Sequence, residues 1–242
     1  SEKTKYDYHL VIDSCYREDL AAMVLRDRNH PCVISYSIGN EVIERKDIRV
    51  IHTAQTFKDV VTSLDPTRPV TEALCSWDSD WEIFDPHAAV LDIVGYNYMM
   101  HKAESDHLRC PERVMWQTES YPRDAFANWK HTSERPYIIG DMVWTGLDYL
   151  GESAIGQFHY EGEQRGEHYQ AKHFPYHWAY CGDVDITGWR KPISHYRDML
   201  WNAKDGSPDI YLAVKEPDNY RNGHVTETLW SVWPTWESWN WS

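Results

Sequence analysis

The sequence has few cysteines and none of them pair by spacing. There are five in 242 residues, Cys15, Cys32, Cys75, Cys110 and Cys181, and no two lie close together. With no CxxC and no zinc-finger pattern, a disulfide framework and a structural zinc site are both poor readings. The odd count points to free thiols, several of them buried as small hydrophobes. HExxH is also missing. His173 and His177 have helical spacing, but Pro175 between them interrupts a continuous helix, so no metal site is expected there. Basic residues are scarce: 24 Lys and Arg stand against 38 Asp and Glu, a formal net charge of −14. A surface of that sign repels phosphate backbones and argues against nucleic acid as a partner. No apolar run reaches the roughly 20 residues needed to span a bilayer, so no membrane partner is expected. The opening stretch SEKTKYDYHL lacks an apolar h-region, which leaves a secreted origin open, because a mature or trimmed chain reads the same.

What is present is apolar and aromatic. Hydrophobic residues make up 42% of the chain, enough for one large domain or two small ones with a sizeable core. Phenylalanine is rare, with 5 copies, whereas Trp and Tyr number 13 and 16. An indole ring has a flat apolar face that suits the C–H face of a pyranose and an N–H that needs a partner when buried. Composition alone is compatible with carbohydrate binding, but favours ordinary core packing.

Along the chain, short β-type runs alternate with helical ones. Residues 13–28 read as a helix, with Asp13 and Ser14 as cap candidates and Leu20, Met23, Val24 and Asp27 in helical rhythm. After Asn29-His30-Pro31 comes a strand over 32–38 that ends at Gly39-Asn40-Glu41. A helix over 44–64, stopped by Asp65-Pro66, precedes a strand from Arg68 to Thr71. Further strands are expected over 90–97, over 114–118 ending at Glu119, and from Pro136 onward to Val143, with helices near 123–131 and 193–203. Such alternation implies parallel β/α architecture. Residues 150–205 are rich in Gly, His and aromatics and give little pattern. Asp205-Gly206-Ser207-Pro208 reads as a linker or turn, and 210–214 as a strand. Five of the tryptophans fall between Trp230 and Trp241. So much exposed indole is an aggregation hazard, so the tail is expected to pack on the barrel or to continue into more chain.

Two carboxylates stand where parallel barrels keep their chemistry, at the C-terminal ends of strands. Glu41 closes one strand and Glu119 another, with room for two strands between them, which in a closed eight-stranded barrel lets them face each other. Glycoside hydrolysis needs such a pair, one group to protonate the leaving oxygen and one to attack or to activate water. A lone Glu at a strand end is ordinarily a loop charge or a neighbour of a helix cap. Here Asn40 offers a donor to a sugar hydroxyl beside the acid, and Gly39 allows close backbone approach.

RDRNHPCVISYSIGNE (Arg26 to Glu41) resembles the acid/base signature of glycoside hydrolase family 2. QTESYP (Gln117 to Pro122) resembles its nucleophile segment, in the form common among the family's β-galactosidases. VWTGLDYLGE (Val143 to Glu152) resembles the family's eighth barrel strand, GDVDITGWRKPISHYRDMLW (Gly182 to Trp201) the segment that closes the barrel, and YDYH (Tyr6 to His9) the approach to the third barrel helix. The resemblance implies a (β/α)8 TIM barrel and a retaining hydrolase of terminal β-linked sugars, with Glu41 as general acid/base and Glu119 as nucleophile. It further implies that Asn40 binds the 2-hydroxyl, Tyr98 hydrogen-bonds the nucleophile, Trp144 floors the sugar pocket and Asp78 takes a sugar hydroxyl. No cofactor or metal is implied for these residues. The magnesium that such galactosidases can carry near the acid/base would take its ligands from strands not found here. In a retaining pair, roughly 5–5.5 Å apart, one charge disfavours the other, so Glu41 is expected to keep its proton while Glu119 is ionised. Once Glu119 is esterified, Glu41 can turn from acid to base. A β-galactoside is the expected substrate. The glucuronidase pattern has an Asn-x-Lys near the barrel's end, which Gly188-Trp189-Arg190-Lys191 lacks. The periplasm or cytoplasm of a bacterium is the expected location.

The pattern is cut short. Strands ending near Ile38, Thr71, Asn97, Thr118 and Val143 correspond to strands 4–8 of the barrel, and strands 1–3 are not found, although a typical barrel takes about 250 residues. Residues 1–204 therefore read as the C-terminal part of a catalytic barrel, and 205–242 as a linker and the first strands of a following β-sandwich. Five parallel strands cannot close. The chain is expected to be a fragment, or one part of a nicked or multi-chain assembly, that needs its N-terminal half or a complementing chain. A catalytically silent piece that offers aromatic surface to carbohydrate is the alternative.

Overall fold

The computed structural model describes residues 2–152, 155–157, 159–160, 178–202, 210–215, 225–226, 229–230 and 235–236. They fall into two compact units. The first comprises residues 1–118 and 135–140, and the second residues 119–134 and 141–242.

The first unit is built on a parallel sheet. The strands are β1 (Tyr36–Asn40), β2 (Val70–Leu74), β3 (Ile93–Asn97), β4 (Met115–Ser120) and β5 (Ile138–Val143), hydrogen-bonded in the order β1-β2-β3-β4-β5; the last residues of β4 and β5, 119–120 and 141–143, count with the second unit. Sequential order in a parallel sheet is the βα-barrel arrangement, here with five strands where a closed barrel of this kind has eight. Helices α1 (Ile12–Asp27) and α2 (Arg49–Leu64) flank β1, and the short helices α3 (Asp85–Ala88) and α4 (Ala103–Arg109) follow β2 and β3. Each helix starts where a break in the chain allows it. α2 begins at Arg49 and not at Glu44, because the Asp47 carboxylate accepts from the Arg49 backbone N–H at 2.9 Å and holds 44–47 as a turn. α1 has no side-chain cap, contrary to the expectation for Asp13 and Ser14. The Ser14 hydroxyl donates instead to the Val11 carbonyl at 2.8 Å. β1 is shorter than the apolar run suggests: residues 32–35 have no strand partner and Ile34 is exposed, so pairing starts at Tyr36, opposite Val70.

Two apolar clusters support the sheet. Val24, Tyr36, Val61 and Val70, with Leu20 and Met23 against them, seal β1 and β2 under α1 and α2. Leu74, Trp81, Phe84, Val94, Tyr96, Met99 and Met115 pack under the α3 and α4 side. A buried carboxylate sits in the second cluster. Asp106, fully buried, accepts from the Trp81 indole (2.8 Å), the Tyr96 hydroxyl (2.7 Å), Arg109 (2.9 Å) and Arg113 (3.1 Å). A buried charge is tolerable when its lone pairs are satisfied in this way.

The second unit holds α5 (Ala125–Glu134) and α6 (Pro192–Trp201), and a two-residue antiparallel pairing of 149–150 with 178–179. Asp148 organises it. One carboxylate oxygen accepts from the Gly182 backbone N–H and from the Lys191 ammonium, both at 2.7 Å, so the segments 143–152 and 182–201 are joined through a buried pair. Further along, 214–215 pairs with 235–236, and 225–226 with 159–160. The expected strand over 210–214 is confined to 214–215. His173, His177 and the 205–208 turn lie outside the described residues. Of the tail tryptophans, Trp230 packs edge-on against Tyr121, with ring centroids 5.1 Å apart. Cys181 is buried, Cys32 is exposed and the other three cysteines are intermediate. Among the described residues no helix is long and apolar enough to cross a membrane.

Candidate active site

In the first unit the chemistry gathers at the C-terminal ends of β1, β2 and β3. β1 carries one extra residue between Ser37 and Asn40 relative to β2, since Ser37 pairs with Thr71 but Asn40 with Ala73. A bulge of this kind re-aims the side chains that follow it. Glu41 comes next with φ +50°, in the left-handed region that non-glycine residues seldom occupy, and its backbone N–H donates to the Ala73 carbonyl at 2.8 Å. Local strain of this sort persists only where the surroundings enforce it.

Asn97 supplies the enforcement. It is fully buried at the end of β3, and its amide nitrogen donates to both Glu41 Oε1 (3.0 Å) and Asn40 Oδ1 (3.1 Å). Its amide oxygen accepts from the Thr118 hydroxyl at 2.6 Å. With its oxygen taken by the Thr118 hydroxyl, the amide turns its NH₂ toward Asn40 and Glu41. Three strand ends are thereby locked by one side chain. The second carboxylate oxygen of Glu41 takes the Lys3 ammonium at 3.3 Å. Asn97 is the functional residue that sequence reading missed. The available signal was its place at a strand's C-terminal end between two tyrosines, equivalent to that of Asn40.

Tyr98 follows directly, with φ +60°, and its ring stacks on Trp77, with centroids 6.5 Å apart and planes 21° off parallel. Asp78, beside Trp77, is ion-paired with Arg45, and Lys46 lies 4.0 Å away. Asp78 is thus placed among surface charges after β2. Beneath Gly39 lies the Glu72 carboxyl. Glu72 and His87 are both buried, their nearest atoms 3.1 Å apart, and a Cβ on Gly39 would meet the Glu72 carboxyl carbon at 2.8 Å. A side chain at Gly39 would therefore have to displace the Glu72 carboxyl.

In the second unit, Glu119 is half-buried and is followed by the fully buried Ser120. The Ser120 carbonyl accepts from the Trp144 backbone N–H at 2.9 Å, and the Ser120 hydroxyl donates to the Met142 carbonyl at 3.3 Å. Trp144 is thus tied by backbone to the residue after Glu119. Its ring packs edge-on to Tyr149 (centroids 5.8 Å apart) and against Ile155, Ala179 and Cys181. The Trp144–Thr145 peptide is cis. Below this level Asp141 is buried, with the Arg197 guanidinium 3.8 Å away and Asp183 bound to the same arginine. Burial dominates and pushes the Asp141 carboxyl up to about 6, with Ser120 and Arg197 pulling the other way. Of the predicted residues, the structure brings Asn40 and Glu41 into one hydrogen-bonded group, stacks Tyr98 beside it, and places Glu119 and Trp144 together in the other unit. Among the described residues no group of three or more His, Cys, Asp or Glu side chains is arranged to hold a metal ion.

The sequence profile of the glycosyl hydrolases family 2, TIM barrel domain, matches residues 11–187, which include Asn40, Glu41, Asp78, Tyr98, Glu119 and Trp144. The chain belongs to glycosyl hydrolase family 2. It is 34% identical to a family 2 member from Bacteroides cellulosilyticus whose crystal structure superposes with a TM-score of 0.78, over 98% of this chain and 29% of that one. A β-galactosidase of Bacteroides ovatus is 27% identical over 84% of this chain, and one of Vibrio cholerae is 26% identical over 72%. A β-glucuronidase of Bacteroides uniformis, at 18% identity and a TM-score of 0.56, shares the fold. The chain spans 31% of the B. ovatus enzyme and 16% of the V. cholerae enzyme. Within the family 2 chain, then, the strand-end carboxylates Glu41 and Glu119 stand inside the barrel segment, not in an appended domain.

Proposed function

We propose that this chain supplies the catalytic carboxylates of a retaining β-glycosidase that removes a terminal sugar, with a β-galactoside as the substrate. The observation that carries the reading is the Asn97 amide, which holds Asn40 and Glu41 together at the strand ends. The likeness to β-galactosidases favours galactose as the glycone. In this reading Glu41 protonates the glycosidic oxygen while Glu119 attacks the anomeric carbon and forms a glycosyl-enzyme. Water, deprotonated by Glu41, then displaces Glu119, and the configuration is retained. Asn40 takes the 2-hydroxyl, Tyr98 orients Glu119, Trp144 forms the floor, and Asp78, shared with Arg45, takes a peripheral hydroxyl. Residues 205–242 would open the following domain.

The five-strand sheet favours a second reading for the chain in isolation, a piece that is silent until the N-terminal half of the barrel is supplied. Both readings are tested by assaying the chain, alone and joined to its N-terminal complement, against a panel of chromogenic β-glycosides. We expect turnover of the galactoside in the complemented form. A Glu41→Gln variant should lose on the order of a hundred- to ten-thousandfold, and azide, an anionic nucleophile that needs no general base, should restore part of that rate. No turnover of any glycoside after complementation would overturn the enzymatic reading.

A further inference from the structure

Trp77 lies outside every role given above. Its side chain is 69% exposed, a large fraction for the bulkiest apolar residue, yet the ring is not loose. One face stacks on Tyr98. On its N-terminal side Ser76 is buried, and the Ser76 hydroxyl accepts from the Asp78 backbone N–H at 3.2 Å. On its C-terminal side Asp78 is ion-paired with Arg45, and Asp80 with Lys46 at 3.1 Å. The turn that presents the indole is therefore pinned on both flanks. A lone exposed apolar residue needs no explanation, but an exposed ring held in place by its neighbours costs hydration and ordering with no packing return unless something covers it.

The surroundings say what would cover it. Trp77 follows β2 and Tyr98 follows β3, so both belong to the C-terminal ends from which Glu41 also emerges. Tyr98 is one residue from Asn97, whose amide holds Glu41. The rim consists of Arg45, Lys46, Asp78 and Asp80, donors and acceptors of the kind that hydroxyl groups use. A flat apolar face edged by polar groups matches a pyranose ring, apolar on its C–H face and polar at its rim. An apolar peptide would leave the charged rim unmatched. We infer that Trp77 is the platform for the sugar on the leaving-group side of the scissile bond, and so sets the preference for a saccharide aglycone. This rests on the glycosidase reading above and adds a subsite to it.

The test uses two substrates that share a glycone in the complemented enzyme: lactose, whose leaving group is a pyranose, and β-galactosyl fluoride, whose leaving group has no ring. Trp77→Ala should lower kcat/KM for lactose about tenfold more than for the fluoride, the loss falling mainly in KM, as removal of an aromatic contact of about 1.4 kcal/mol would do. Trp77→Phe should recover part of the difference. An equal loss on both substrates, or no loss on lactose, overturns the platform. If the unaltered enzyme cleaves neither substrate, the glycosidase reading fails. The platform is then judged by calorimetric titration of lactose: binding that Trp77→Ala abolishes supports a saccharide site, and absence of binding overturns it.

Discussion

Strands β2 and β3 are buried at every position, whereas β1 and β5 alternate between buried and open and expose Ser37, Asn40, Ile139 and Met142. The centre of the sheet is held by apolar clusters and by the satisfied carboxylate of Asp106. The edges carry two ionisable side chains, with Glu41 emerging from β1 and Asp141 lying within β5, while Glu119 lies on the interior strand β4. Asn97 joins centre and edge, because it is buried like the centre and hydrogen-bonded to Glu41 at the end of β1. In a closed barrel each edge strand gains a neighbour, which β1 and β5 lack among the described residues.

Four substitutions sharpen or break this contrast. The largest effect is expected at the centre. Asp106→Ala takes from the nearly buried Arg113 one of its two carboxylate partners, leaving only Asp85, and orphans the Trp81 and Tyr96 donors, so chemical denaturation should show a loss of roughly 3–5 kcal/mol. If the loss matches that of a surface residue, the centre is not held as described. Next comes the joint between centre and edge. Asn97→Asp replaces an amide donor with a second carboxylate 3.0 Å from Glu41 Oε1, and should cut kcat/KM of the complemented enzyme about a hundredfold. The protein should stay folded by circular dichroism.

The edge strand β5 gives a pH-dependent prediction. The Asp141 carboxyl has a folded-state value of about 6, above its ordinary 3.8, so the unfolded chain gives up this proton first as pH rises. Stability from this group is complete below about pH 4, declines as pH rises to about 6, and stays lost above that. Asp141→Asn should flatten the decline and leave the variant more stable than the parent at pH 7, by on the order of 3 kcal/mol, with little difference at pH 4. A difference that grows toward low pH would contradict the assignment. The smallest effect should come from Arg26→Ala. Arg26 is 74% exposed and paired with its neighbour Asp27, and its loss should lie within about 0.5 kcal/mol in the same denaturation assay.

Much of this arrangement was legible in the residues. β-branched runs closed by Gly39-Asn40-Glu41 and by Gln117-Thr118-Glu119, separated by helical stretches, gave five parallel strands and the two carboxylates at their ends. What escaped did so for physical reasons. α3 and α4 are four and seven residues long, too short for a helical period to register, and Pro86 inside α3 reads as a break. β1 begins at Tyr36 because pairing, not β-propensity, decides where a strand starts, and Cys32 to Ser35 have no strand opposite them. Asn97 and Glu72 were invisible for a related reason. Their roles come from neighbours distant in sequence: Thr118 and Glu41 for the first, Gly39 and His87 for the second.

The central claim is the division of labour between Glu41 and Glu119. A 2-deoxy-2-fluoro-β-galactosyl fluoride tests it most directly, because its fluorine at C2 slows both steps while the fluoride leaving group lets the first proceed, so the glycosyl-enzyme accumulates. Digestion and mass spectrometry of the complemented enzyme should find the label on Glu119, at full stoichiometry and with matching loss of activity, and Glu119→Gln should take up none. Label on Glu41 or on any other carboxylate, or an active enzyme that forms no adduct, would contradict the account.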